Sequence, residues 1–139
     1  MGRKKCSEAN AEPLVWDRSF SVGVPIFDSQ HQVLFKIIND LQDACVTDAS
    51  QADFLRIIHE LYDYSTSHFR DEEAILTRKQ SPQLSAQQMQ HAVFLDYVID
   101  LEAKVKSNSG TINEEILTFL KVWWEEHVLK IDKQYSILF

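Results

Sequence analysis

Four stretches of the chain repeat apolar residues every three or four positions, the spacing that gives a helix one buried face. The first runs Val33, Leu34, Ile37, Ile38 and Leu41, and fades at Thr47-Asp48. The second carries Phe54, Ile57, Ile58, Leu61, Tyr64, His68, Ile75 and Leu76. It must stop before Ser81-Pro82, because a residue preceding proline is pushed out of the helical region. The third holds His91, Phe94, Leu95, Val98, Leu101 and Val105, and ends at Asn108-Ser109-Gly110. The last bears Ile116, Leu117, Leu120, Trp123, Trp124, His127, Val128 and Ile131.

Polar residues mark the starts. Asp28 or Ser29 suits an N-cap, and Ser29 with Gln32 forms a capping-box pattern. Ser50 opens the second segment, and Ser85 to Gln88 and Thr111 to Glu114 are further boxes. The pattern predicts helices over about 29–46, 51–79, 86–107 and 112–134. Long helices joined by short loops give an all-α antiparallel up-down four-helix bundle. Residues 11–27, with Pro13, Trp16, Phe20, Gly23, Pro25 and Phe27, are too apolar for a free tail and too broken for a helix. They predict an extended N-terminal arm packed on the bundle. Residues 1–10 form a polar, disordered tail, which leaves 11–139 as one domain.

Composition narrows the function. With 45% apolar and 25% charged residues the profile is that of a globular domain, and 3 Gly and 3 Pro leave few places to turn. A formal charge of −7 excludes a nucleic-acid surface, which needs clustered Lys and Arg. No run of 18 apolar residues is present, so no membrane span is expected. Without the apolar core of a secretory signal, the cytoplasm is the expected compartment. Cys6 and Cys45 form neither a metal-type spacing nor a disulfide framework.

The chemistry lies in histidines and carboxylates. His68 and Glu72 stand at i, i+4, and His127 and Asp132 at i, i+5. Residues one turn apart share a helix face. His31 and His91 sit singly on the other two helices. A lone histidine on an apolar face is ordinarily a hydrogen-bonded core residue, but here every helix contributes one. Buried imidazoles and carboxylates without partners are costly, and metal coordination removes that cost. The thiolate-free N/O set favours iron over structural zinc in a dinuclear site. His59 lies nine residues before His68, about 180° round the helix, and should face solvent. Asp71, Glu73, Glu125 and Glu126 should also point away from the site, while Trp123, Trp124, Phe69 and Phe94 wall it.

These residues resemble the bacteriohemerythrins, the bacterial branch of the hemerythrins, along nearly the whole chain. The resemblance rests on Ser21-Val22-Gly23-Val24, Phe27-Asp28-Ser29-Gln30-His31, His68-Phe69-Arg70-Asp71-Glu72-Glu73, His91, and Trp123-Trp124-Glu125-Glu126-His127 through Asp132 and Tyr135. It implies a four-helix bundle around two non-heme iron ions with an oxo or hydroxo bridge. His31 and His68 would serve one iron, His91 and His127 the other, and Glu72 and Asp132 would bridge them. Dioxygen in the family binds at the iron with fewer protein ligands, here that of His31 and His68. The resemblance lines that pocket with Leu34, Phe69, Trp124 and Val128.

Two positions depart from the family pattern. The third-helix motif His-x-x-x-His reads Gln87-Gln88-Met89-Gln90-His91, so one imidazole is replaced by Gln87, a weak ligand or none. Gln87 also falls in the first turn after Ser85, where fraying could swing it away. Trp124 stands where the family commonly has leucine, and either narrows the cavity or offers a ligand a hydrogen bond. An open second iron speeds autoxidation and admits small exogenous ligands. The expected function is therefore oxygen or redox sensing, not enzymatic, as the input module of a bacterial signalling protein such as a cyclic-dinucleotide synthase. The alternative is a free-standing oxygen carrier or store.

Overall fold

A computed structural model of the chain describes residues 12–107 and 114–131. Four helices follow an irregular arm: α1 Pro25–Val46, α2 Gln51–Arg78, α3 Leu84–Ser107 and α4 Glu114–Glu126, the last continuing as a π-type turn over His127–Ile131. No strand occurs among the described residues. The helices alternate in direction, so the expected antiparallel four-helix bundle is observed. α1 packs on α2 and α4, and α2 packs on α3. Aromatic contacts tie α3 to α4, with Tyr97 stacked on Phe119 at 3.9 Å and Phe94 against Trp123 at 4.5 Å. The core is continuous from Leu34, Ile38 and Leu41 through Ile58, Leu61, Val98 and Leu101 to Leu117 and Leu120.

The arm is held by specific bonds. Leu14 N–H donates to Asn39 Oδ1 at 2.7 Å, and Asn39 Nδ2 donates back to the Leu14 carbonyl at 2.9 Å. Phe20, on a single 3-10 turn over Arg18–Phe20, meets Phe35 edge to face at 5.1 Å. That turn also touches the π-type turn, so the arm closes over the end of the bundle where α4 finishes.

Two helix starts differ from the sequence expectation. α1 begins at Pro25, not near Asp28 or Ser29, because proline at the first helical position already has helical φ and lacks only an N–H that would be unbonded there. Val24 makes no side-chain cap. Gly23, at φ +76, turns the chain into the helix. Asp28 instead reaches back, accepting from Val22 N–H at 2.8 Å and Ser21 Oγ at 2.6 Å. Ser29 is thus an exposed residue inside α1. α3 begins at Leu84, so the Ser85–Gln88 pattern lies within its first turns. Ser81 shapes the turn that leads into it, its Oγ accepting from Gln83 N–H at 3.0 Å. The Thr111–Glu114 box and the ends expected at 112 and 134 involve residues outside those described.

Cys45 is buried on α1 and disulfide-bonded, which corrects the expectation that the two cysteines form no disulfide. The other cysteine, Cys6, is outside the described residues. No helix among the described residues is long and apolar enough to cross a membrane.

Because Asp28 alone accepts both Ser21 and Val22, Asp28→Ala should release the arm and lower stability by about 1–2 kcal/mol. Urea unfolding of the variant beside the parent checks this, and an unchanged midpoint would show that the arm is held elsewhere.

Candidate metal centre

The alternation of helix direction decides where the histidines meet. His31 lies near the start of α1, His68 and Glu72 near the end of α2, His91 near the start of α3, and His127 at the end of α4. All five therefore fall at one end of the bundle, and each is at most 2% exposed. Their ligand atoms form two overlapping groups, His31–His68–Glu72 and Glu72–His91–His127, each with all its ligand atoms within 4.8 Å of one another. Glu72 is common to both. Its Oε2 lies 3.3 Å from His68 Nε2 and 3.6 Å from His31 Nε2, and its Oε1 lies 3.2 Å from His91 Nε2.

Two of the rings are oriented from behind. His68 Nδ1 donates to Gln30 Oε1 at 2.5 Å, and the Gln30 amide nitrogen donates to Asp71 Oδ2 at 3.0 Å. His91 Nδ1 donates to Glu73 Oε2 at 2.7 Å. With Nδ1 carrying the proton, the neutral ring presents the lone pair of Nε2 to the interior, as a metal ligand requires. Stacking fixes two ring planes: Phe69 lies on His91 at 3.9 Å and 6°, and Trp123 on His127 at 4.4 Å and 10°.

The donor set fits a pair of cations. His31 Nε2 and His68 Nε2 face each other at 3.0 Å, a gap that accepts one proton at most between two nitrogens. Burial by itself raises the Glu72 carboxyl. Where the inward Nε2 atoms carry protons in place of a metal ion, the charge of His68 and hydrogen bonds from His31, His68 and His91 outweigh burial and hold it well below its ordinary value. Glu72 is thus an anion at the centre of the cluster. Protons and metal compete for the same nitrogen atoms, as at sites where binding is coupled to deprotonation.

His59 is half exposed and pairs with Glu102 of α3, away from the site. Glu126 is exposed and Glu125 only partly covered. Asp71 and Glu73 point out of the cluster, yet they are not idle surface charges, since they hold the rings of His68 and His91 through Gln30 and directly. Sequence reasoning missed this role and gave Gln30 no role of its own. The available signal was position: Asp71 and Glu73 flank the central carboxylate, and Gln30 precedes a ligand-type histidine. Gln87 is 0% exposed within the first turn of α3, its N–H bonded to the Gln83 carbonyl at 3.0 Å, so the helix start does not fray there. Leu34, Phe69, Trp124 and Val128 are all buried. An open groove of about 600 Å³ between α2 and α3 reaches the outer edges of Phe69 and His91. Asp132 is outside the described residues.

A four-helix bundle with imidazoles from all four helices around a shared carboxylate defines a class of dinuclear metal proteins built in a bundle core. The family described as "Hemerythrin HHE cation binding domain" matches residues 22–136, and the chain belongs to the hemerythrin family. Among its relatives are a bacteriohemerythrin of Methylococcus capsulatus, 27% identical over 117 residues that cover 84% of this chain and 88% of the relative. Myohemerythrin-1 of Phascolopsis gouldii is 32% identical over 125 residues, covering 90% and 93%. A wild-type hemerythrin crystal structure superposes with a TM-score of 0.82 at 26% identity, covering 89% of this chain and 95% of that one. Family membership brings with it the cofactor, a non-heme di-iron centre, and the character of an oxygen-binding domain.

Groups that orient metal-binding histidines typically account for 10–100-fold in affinity. Glu73→Ala should therefore weaken iron binding by roughly 10–100-fold, while His59→Ala leaves it unchanged. Competition with a chromogenic chelator measures both; equal affinities in the Glu73 variant and the parent would mean that stacking on Phe69 alone positions His91.

Proposed function

We propose that this chain is a non-heme di-iron domain that senses oxygen or redox state. His31 and His68 hold one iron, His91 and His127 the other, and Glu72 lies between them. Support comes from the convergence of all five residues in two groups that share Glu72. Asp132 is the second bridging carboxylate in this reading. Its spacing from His127 is five residues, and His127 opens a π-type turn. An oxo or hydroxo group completes the bridge, and the domain spans 11–139. When bound, the iron pair supplies reversible binding of dioxygen or of small exogenous ligands.

The observation that carries the sensing reading is Gln87. It is fully buried one turn before His91, so the face that would present an imidazole presents a neutral amide instead. A carrier needs one saturated, inert iron beside the open one. An amide is a poorer donor than an imidazole and leaves the second ion open to exchange. The domain then responds to oxygen by changing oxidation state, without acting as an enzyme. Its helices pass the change to a fused output domain such as a cyclic-dinucleotide synthase, in the cytoplasm.

The second reading is a free-standing oxygen carrier or store. It is favoured by the relatives, whose names are those of hemerythrins and most of whose length this chain covers. Autoxidation separates the two. Gln87→His should restore the third imidazole and slow oxidation of the diferrous protein in air by at least about tenfold, the ratio that 1.4 kcal/mol of differential stabilisation produces. Stopped-flow mixing with oxygen measures it. Equal rates in variant and parent would remove the basis for sensing and leave the carrier.

A further inference from the structure

Behind the metal centre the bundle carries a second layer, set by register. Three residues inward from each histidine stand Leu34 on α1, Ser65 on α2, Phe94 on α3 and Trp124 on α4, all 0% exposed. Two of these four side chains are polar. Ser65 Oγ and Trp124 Nε1 are buried with no hydrogen-bond partner. Such atoms are rare in folded proteins, because a buried donor loses its water and gains nothing in return. Ser65 forgoes even the usual mid-helix remedy of bonding back to a carbonyl four residues earlier. Its neighbour Thr66 takes that remedy, donating to the Tyr62 carbonyl at 2.8 Å.

Trp124 also lies directly against the ligand cluster. Its ring centroid is 6.2 Å from His31, 6.0 Å from His68 and 6.0 Å from His127, and it stacks at 20° on Phe69. The indole thus adjoins both imidazoles of the His31–His68–Glu72 group and one of the other group. Leu34, Phe69, Phe94 and Val128 make the rest of the surroundings hydrocarbon or aromatic. A donor in such a setting is worth most to a partner that carries negative charge, since charge-assisted hydrogen bonds are the strong ones and nothing else there competes for them.

We propose that Trp124 Nε1–H, seconded by the Ser65 hydroxyl, is a built-in hydrogen-bond donor to small anions bound at this centre. The inference rests on the di-iron reading above. It decides between the two expectations for the tryptophan in favour of hydrogen bonding, and gives Ser65 a role in the same site.

Azide is the probe. The iron content of each protein is measured first, then the diferric form is titrated with azide and its azide stretching band recorded in H2O and in D2O. Trp124→Phe enlarges the cavity and removes the donor. Space alone would strengthen azide binding, so a fall in affinity isolates the lost hydrogen bond. The expected result is an azide Kd raised about tenfold in Trp124→Phe and about threefold in Ser65→Ala, within the range for the net contribution of a single hydrogen bond. The wild-type band should shift on deuteration and that of Trp124→Phe should not. The deuterium test on wild type and the small Ser65→Ala change keep the matter decidable should Trp124→Phe fold poorly. A wild-type band indifferent to deuterium, or an unchanged Kd in a folded Trp124→Phe, overturns the inference while leaving the di-iron reading intact. Absence of iron from the wild type overturns both.

Discussion

Everything at the functional end of this bundle depends on one buried carboxylate. Glu72 is fully enclosed, where an anion would ordinarily be driven to take up a proton. It stays ionised because imidazoles from α1, α2 and α3 converge on its two oxygens. The same arrangement makes it the natural bridge between two cations, since one oxygen faces His31 and His68 and the other faces His91. Remove that charge, and four imidazoles crowd one another with nothing to organise them.

The outer shell is what makes the inner one usable. Gln30 and Glu73 hold protons on the outward nitrogens of His68 and His91, so that the inward nitrogens are free to coordinate. Phe69 and Trp123 then fix the ring planes by stacking. The polar supports come from α1 and α2 and the aromatic ones from α2 and α4. Loss of alignment between any two of these helices is therefore transmitted to the metal ligands. A displacement of either ring is carried by the same contacts into the helix that supports it.

The fold was legible because period-3.6 patterning is strong in all four helices, and His31, His68, Glu72, His91 and His127 were legible because they share one face with that pattern. Helix starts were less so. Polar residues at 28, 29 and 85 looked like caps, but α1 begins at Pro25 and α3 at Leu84, and Asp28 is occupied in holding the arm. The supporting roles of Gln30, Asp71 and Glu73 could not be read from periodicity, which assigns a residue to a face but says nothing of a side chain reaching to the next helix. Nor could the burial of Gln87, which depends on where α3 begins. The unpartnered Ser65 hydroxyl looked like any small residue among apolar neighbours.

The central claim is a paired iron site organised by Glu72. Its most direct test is metal analysis with Mössbauer spectroscopy on protein reconstituted anaerobically with ferrous iron and then oxidised. The account predicts two irons per chain, antiferromagnetically coupled into a diamagnetic diferric pair. One zinc per chain, or iron that is mononuclear and magnetically isolated, would contradict it.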